Sequence, residues 1–337
     1  AVDVSKGHSI LIDKSIEGKE LEVDGLCDGS EVLIPGIIEH IEGAGVHSGD
    51  SMAVYPARTI SRETKETILN YTERLARALK IVGVFNIQFV MDKNEKVYVI
   101  EVNPRASRTV PIMSKITGIP MVNIATKLIM GKTLREIGYQ PGLAPEGEFT
   151  CVKAPVFSFS KLATVDTFLG PEMKSTGEVM GVDKDFHCAL YKAVLASGIN
   201  IPDGGRVLLS VAKRDKDFCK KVAEKLARLG YKIAATRDSY DYLTGSGIEA
   251  EFIPDDNILE SLQNDSISMV INTPVRGELP SKLGYRMRRT SIEYNIPCIT
   301  SLDTAYAVLD MLESGKHMEC FNIYSLDEYS RQGAKVG

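Results

Sequence analysis

The sequence predicts a mixed α/β chain of two successive units: an α+β unit with antiparallel strands, then an α/β unit with an open parallel sheet. Three observations carry this. β-rich runs separated by polar turns fill the first third of the chain, and residues 197–205 form a Gly- and Pro-rich stretch of linker composition. Beyond it, short apolar strands alternate with helical segments, the rhythm of a parallel sheet covered by helices.

In chain order, residues 10–12 and 21–25 read as strands around a loop at 16–19, and 31–42 continues as one apolar, β-branched stretch. Ile68, Tyr71, Leu75 and Leu79 recur at helical spacing, so a helix is expected over 62–79 with Ser61 capping its start. Two β-rich runs at 86–90 and 97–103 flank the polar turn cluster Asp92-Lys-Asn-Glu95, the pattern of a hairpin. Helices are expected at 110–116 and 121–130, the second stopped by Gly131, and 142–205 is less regular. Strands are then expected at 207–212, 232–236, 268–272 and 297–300. Helices are expected at 217–229, 240–243, 282–293 and 304–312.

The length of 337 residues suits about two domains, and 44% hydrophobic with 25% charged residues is ordinary globular composition. A formal net charge of -5 with dispersed basic residues argues against nucleic acid as a partner. No run is apolar enough to cross a membrane and no signal peptide is visible, so a cytoplasmic protein is expected. Cys27, Cys151, Cys188, Cys219, Cys298 and Cys320 show no CxxC or metal-finger spacing, which points to reduced thiols and mostly to small buried residues.

The richest chemistry lies in Glu101-Val-Asn-Pro-Arg-Ala-Ser-Arg108 together with Gln88. If Val90 faces Val99 in the hairpin, Gln88 faces Glu101. Strict alternation then places Val97, Val99, Glu101 and Asn103 on one face, with Tyr98, Ile100 and Val102 on the other. Glu101 with the amide oxygens of Gln88 and Asn103 offers Mg²⁺ the hard oxygen donors it prefers. Arg105 and Arg108 could fork onto a phosphoryl group and neutralise charge during its transfer. An isolated strand-end Glu paired with an Arg would be unremarked; five such residues together point to phosphoryl chemistry.

In the second unit, ligands are expected outside the carboxyl ends of the strands. Those ends carry Ser210, Lys213, Thr236-Arg-Asp-Ser239, Asn272-Thr273 and Thr300-Ser301, a set suited to a small anion, with a helix start after Thr236. Each residue alone is equally an ordinary cap or turn former.

Three segments in order, Glu39–Ser51, Glu101–Pro111 and Leu169–Gly181, resemble the large chain of carbamoyl phosphate synthetase. The resemblance implies that residues 1–199 are the later part of its second ATP-grasp unit and 200–337 its methylglyoxal-synthase-like allosteric domain. It implies an ATP-dependent ligase that phosphorylates carbamate to carbamoyl phosphate for pyrimidine and arginine biosynthesis. ATP and Mg²⁺ or Mn²⁺ would be its cofactors, and a glutaminase small subunit and the remainder of the large chain its partners. By matching positions, Gln88, Glu101 and Asn103 would hold metal, and Arg105 and Arg108 would contact the transferred phosphate. Gly45, Val46, His47 and Ser48 would line the nucleotide pocket with Gln88 and Glu101, with Lys14 and Ile16 near adenine and Glu20 near ribose. His47 in its Gly-flanked loop suits ligand positioning or capping, not general-base work.

For regulation, Ser210, Lys216, Thr236, Asn272 and Thr273 match the family's pocket for UMP, Ser239 is a conservative replacement in it, and Asp255 and Pro274 depart from it. Glu42, Asp50 and Thr300 match the ornithine site, where Ala154 replaces an acid. The resemblance leaves the earlier half of the ATP-grasp unit unmatched, so this chain alone is expected not to close an active site. The other readings are a non-catalytic ligand-sensing fragment, a methylglyoxal synthase and a different ATP-grasp ligase.

Overall fold

The computed structural model describes residues 12, 14–162, 165–275, 282–316, 320, 322–326 and 328. The first part of the chain runs β1 (Lys19–Asp28), β2 (Val32–Ile34), β3 (Ile37–Gly43), β4 (Ala53–Tyr55), α1 (Arg62–Ala78), β5 (Val82–Met91) and β6 (Val97–Asn103). It continues with α2 (Val110–Thr117), α3 (Met121–Ile129), β7 (Gly142–Leu143), β8 (Thr150–Val156), β9 (Gly177–Asp183) and α4 (Phe186–Ala196). The sheet order is β6-β5-β1-β3-β4-β8-β9, with β2 pairing β1 and β7. The pairings along that path are antiparallel, as expected. Of the expected first strand, residues 10 and 11 lie outside the described residues, and Ile12 is exposed and not in a strand. The single stretch expected at 31–42 is two strands, because Pro35 has no N–H to give a ladder and Gly36 packs against the Tyr55 ring.

One face of this sheet buries Leu21, Val23, Phe85, Ile87 and Phe89 against Ile68 and Ala76 of α1. Ser61 caps α1 by accepting a hydrogen bond from the Thr64 N–H, as the sequence predicts. The other face is split. Leu26 at one end of β1 is covered by α2 and α3 through Met113, Met121 and Ile124. The rest of β1, β5 and β6 on that face carries polar side chains and stays open. At the far end, α4 lies on β8 and β9 through Ala189, Leu190 and Ala193. Gly181 lets it approach: a Cβ there would stand 2.1 Å from the Ala189 carbonyl oxygen.

The second part runs β10 (Arg206–Ser210), α5 (Lys216–Arg228), β11 (Lys232–Ala235), α6 (Arg237–Gly245) and β12 (Glu251–Phe252). It ends with α7 (Asp255–Gln263), β13 (Met269–Asn272), α8 (Leu283–Glu293), β14 (Cys298–Ile299) and α9 (Leu302–Glu313). The strands form a parallel sheet in the order β12-β11-β10-β13-β14, so the expected alternation holds, with β12 and α7 added. Helices cover both faces: α5 and α9 pack over Val207, Leu209 and Ile271, while α7 and α8 pack over Leu208 and Val270. Order reverses between β10 and β13, which makes their carboxyl ends the topological switch point. No helix among the described residues is long and apolar enough to cross a membrane.

The expectation of reduced thiols is corrected at one pair. Cys188, in the first turn of α4, is bonded to Cys320 at an S–S distance of 2.10 Å. The two lie 132 residues apart, too remote in sequence for any spacing motif to reveal. Cys27, Cys151 and Cys219 are buried and free, in keeping with the other half of that reading.

Candidate active site

Two polar rows cross β1, β5 and β6 on the open face. Glu22 stands opposite Gln88, and Gln88 opposite Glu101; Asp24 stands opposite Asn86, and Asn86 opposite Asn103. The pairing of Gln88 with Glu101 is as expected, but the route to it is not. Val90 pairs with Tyr98, and Phe89 with Val99. A register shift between Gln88 and Phe89 then restores Gln88 to Glu101. The extra residue, Ile100, is a β-bulge that reverses the side-chain parity along β6. Val97 therefore packs with Val102 in the α1 core, and Val97 does not share the face of Glu101 and Asn103. Strict alternation would have put either Val97 or Glu101 on the wrong side.

A cavity of about 560 Å³ opens over these rows, lined by Glu20, Glu22, Asn86, Gln88 and Glu101 from the strands and by Arg105 and Arg108 after β6. The loop after β3 closes one side with Gly45, Val46, His47 and Ser48, Gly45 at φ 111° giving it a turn that a larger residue would strain. The His47 N–H donates to Gly170 O at 2.7 Å, and the Gln88 Nε2 donates to Ser48 Oγ at 2.9 Å. His47 Nδ1 accepts from the Gly49 N–H at 3.0 Å, a turn-fixing role. Arg108 donates to Ser175 Oγ at 2.8 Å, whereas Arg105 reaches only the carbonyl of Ala106 among the described residues. Asn103 donates to Glu101 Oε1 at 2.8 Å without lining the cavity. Lys14, exposed, and Ile16, half-buried, precede β1 and do not line it.

Beneath this layer lies a buried network that sequence reasoning missed. The Asn86 Nδ2 donates to Glu22 Oε1 at 2.6 Å and to Asp24 Oδ1 at 3.0 Å; Ser107 and Thr109 donate to Asp24 Oδ2. Burial, and then the Glu22 charge, push the Asp24 carboxyl up to about 7 against those hydrogen bonds. Burial works to raise Glu22 as well, but the hydrogen bond and charge of His40, with Lys153 and Asn86, hold it below its ordinary value. His40 Nε2 lies 3.3 Å from Glu22 and its Nδ1 3.5 Å from Glu20, whose carboxyl is raised mainly by burial. Lys153 of β8 lines the cavity, and burial lowers its ammonium against the pull of Glu22, Glu178 and Glu42. The signal was available: acids at every second position, Glu20, Glu22 and Asp24, alternating with apolar Leu21 and Val23 in one strand, and a lone Lys153 in another.

In the second unit, the strand-end residues meet at the switch point. Ser239 Oγ accepts from the Val211 N–H, Thr273 Oγ1 from the Ala212 N–H, and Thr236 Oγ1 lies 3.3 Å from Ser210 Oγ. The Asn272 amide donates to Ser210 O, and Lys216 Nζ donates to the Asp238 carbonyl. Glu42, Asp50 and Thr300 line a separate cavity of about 560 Å³ between the two sheets, with Phe157, Phe159 and Thr304. Both acids are already engaged: Glu42 accepts from Ser51, Met52 and Thr304, and Asp50 from the Lys174 and Ser175 N–H groups.

Known families share both halves. Residues 2–137 match the profile described as carbamoyl-phosphate synthase L chain, ATP binding domain, and residues 219–300 match the MGS-like domain. The carbamoyl phosphate synthase large chain of Thermoanaerobacter pseudethanolicus is 51% identical over 98% of this chain, and that of Caldanaerobacter subterraneus subsp. tengcongensis 49%. The chain belongs to the carbamoyl phosphate synthase large-chain family. It spans about 30% of the length of these curated relatives. Among solved structures, the biotin carboxylase domain of a single-chain bacterial carboxylase covers 56% of this chain and 47% of its own at 18% identity and TM-score 0.43. N5-carboxyaminoimidazole ribonucleotide synthetase from Thermotoga maritima covers 54% and 51%, at 20% identity and TM-score 0.40. Likenesses of this size carry no functional argument, and the family membership rests on the profiles and the large-chain relatives.

Proposed function

We propose that this chain carries the carbamate-phosphorylating site and the effector domain of a glutamine-dependent carbamoyl phosphate synthase, divided near residues 199 and 200. The supporting observation is the pair of polar rows across β1, β5 and β6 facing Arg105 and Arg108 in one cavity. A carbamate oxygen attacks the γ-phosphorus of ATP, the bond to the departing ADP oxygen breaks, and carbamoyl phosphate and ADP result. No proton need be removed from carbamate. Positioning and charge neutralisation therefore suffice, and no nucleophilic side chain is called for.

The donor set suits Mg²⁺: one carboxylate, Glu101, beside the amides of Gln88 and Asn103. Gln88 commits its Nε2 to Ser48 and no described donor takes its Oε1. When bound, the metal would neutralise nucleotide phosphates. Gly45, Val46, His47 and Ser48 would hold the nucleotide, with Glu20 at the ribose and Lys14 and Ile16 toward adenine. Arg105 and Arg108 would meet the transferred phosphoryl group. A glutaminase small subunit and the rest of the large chain would supply ammonia and carbamate. Ser210, Lys216, Thr236, Ser239, Asn272 and Thr273 would take UMP or another nucleotide. Glu42, Asp50 and Thr300 form the second effector site, where Ala154 weakens the case for a cationic amino acid.

The test is Glu101→Gln in a complete large chain. Carbamate-dependent ATP turnover should fall to background while UMP binding is unchanged. Turnover at the wild-type rate would remove Glu101 from the site and with it the proposed reaction centre.

A further inference from the structure

Asp24 is 1% exposed and does not line the cavity, so it does not face a molecule bound there. Its hydrogen-bond partners among the described residues are neutral. The Asn86 amide lies on Oδ1 at 3.0 Å, and the hydroxyls of Ser107, at 2.8 Å, and Thr109 lie on Oδ2. A carboxylate buried for the fold alone is expected on a cation, as Asp183 lies on Lys192 Nζ at 2.7 Å. With no cation beside it and the Glu22 charge nearby, burial works against the Asp24 carboxylate. A neutral side chain would suit the fold better there, so the reason for the carboxylate lies in what it holds.

It holds the loop between β6 and α2, residues 104–109, by the two residues that flank Arg108. That loop has little else to fix it. Among the described residues its backbone–backbone hydrogen bonds are the Arg105 N–H to Asn103 O at 2.8 Å and, at the helix, the Met113 N–H to Thr109 O at 2.8 Å. Thr109 is the N-cap of α2, where a hydroxyl would ordinarily accept from a helix N–H, yet it makes no cap bond and turns to Asp24 instead. The Ser107 hydroxyl closes the triangle, 2.7 Å from Thr109 Oγ1 and accepting from the Thr109 N–H at 3.1 Å. One buried oxygen thus fixes the chain on both sides of Arg108, whose guanidinium is fixed at its far end by Ser175 Oγ.

We infer that Asp24 is a positioning residue for the phosphoryl-transfer site: through Ser107 and Thr109 it sets the place from which Arg108 meets the transferred group. The inference rests on the proposed reaction and concerns where the arginine stands within it. Placement of this kind acts on the transition state, where charge develops at a fixed point and a misplacement of about 1 Å can cost about 100-fold in rate. Nucleotide affinity, set by other residues of the cavity, should feel it little.

The experiment follows ATP formation from carbamoyl phosphate and ADP in a complete large chain, as wild type, Asp24→Leu, Asp24→Asn, Arg108→Lys and the pair Asp24→Leu with Arg108→Lys. Asp24→Leu should lower kcat by about 10- to 100-fold, the scale of one misplaced charged hydrogen bond, with the KM for ADP within about twofold of wild type. Asp24→Asn should recover part of the loss, because its amide can still bond the Ser107 and Thr109 hydroxyls without the charge. In the Arg108→Lys chain, Asp24→Leu should cost less than about a further twofold, since both changes spoil the same contact. An unchanged kcat for Asp24→Leu overturns the inference. So does a loss that multiplies in full with that of Arg108→Lys, which would make Asp24 a prop of the fold at large. If Asp24→Leu fails to fold or Arg108→Lys is inactive, Thr109→Val decides alone: a kcat about 10-fold lower at an unchanged KM for ADP supports the inference, and a wild-type kcat overturns it. A wild-type chain that forms no ATP refutes the proposed reaction instead, so the two failures are distinguishable.

Discussion

Removing the carboxylate of Asp166 should destabilise the second unit severely. Arg288 of α8 is 0% exposed at its side chain, and its Nε and Nη2 donate to the two Asp166 oxygens at 2.7 and 2.5 Å. Its Nη1 donates to Asn272 Oδ1 at 2.6 Å, so the guanidinium joins the segment before β9 to the tip of β13. Breaking a buried pair by deleting one partner costs roughly 3–5 kcal/mol, because the remaining charge stays in a low-dielectric site. For a unit of this size that corresponds to a fall in Tm of roughly 10–15 °C. The assay is urea unfolding of wild type, Asp166→Ala, Arg288→Met and the double variant. Replacing both ions removes the uncompensated charge, although Asn272 Oδ1 then loses a donor at a cost of about 1–3 kcal/mol. The double variant should therefore be more stable than Asp166→Ala alone. A loss below about 1 kcal/mol for Asp166→Ala, or strict additivity of the two changes, would refute the reasoning.

Asp24, raised to about 7 in the folded state from an ordinary 3.8, binds its proton more tightly folded than unfolded. Its contribution to stability is therefore fully present below the unfolded value and is lost as pH rises through the interval up to about 7. Asp24→Asn cannot ionise, so its stability relative to wild type should increase from pH 4 to pH 8 in chemical unfolding; a difference independent of pH would contradict the assigned shift. Gly181→Ala should lower stability by about 1–3 kcal/mol in thermal melts, because the added methyl meets backbone atoms of α4 that cannot turn aside. Reducing the Cys188–Cys320 bond, which spans 132 residues, should lower the unfolding free energy by at most about 5 kcal/mol on chain-entropy grounds. Cys188→Ser should show the same loss and no further response to reductant.

Much of the chain was legible because local rules and tertiary packing agree. Helix α1 has a hydroxyl cap and a clean apolar stripe, and the second unit announces itself by alternation. The segment from β8 to α4 was not legible. Strand β8 is buried on both faces, so it lacks period-two alternation, and Lys153 interrupts its apolar run. Helix α4 is held between β8, β9 and α9, so its buried residues, Cys188, Ala189, Leu190, Ala193 and Val194, cover too wide an arc to form a stripe. At the site, the oxygen donors and arginines were readable as a motif, but the parity of β6 was not. Ile100 carries no glycine or proline signature, and the bulge exists because Val97 needs the α1 core while Glu101 needs the open face. His40 and Lys153 escaped notice because each lies far in sequence from the motif it supports.

One stretch, residues 165–176, bears on both sites. Asp166 grips Arg288, and the Leu169 N–H donates to Thr300 Oγ1 at 3.2 Å. Gly170 O then receives the His47 N–H, Pro171 and Met173 line the cavity over β1, β5 and β6, and Ser175 Oγ receives Arg108. The Lys174 and Ser175 N–H groups both close on Asp50. Within about ten residues the backbone thus passes from the switch point of the parallel sheet to Arg108 at the proposed phosphoryl site. Each grip is a buried or half-buried hydrogen bond, so the stretch is anchored at both ends. A ligand at the strand ends could move this stretch only by the difference in its affinity for two positions of α8. Arg288, bonded at once to Asn272 and Asp166, is the side chain on which such a difference would bear.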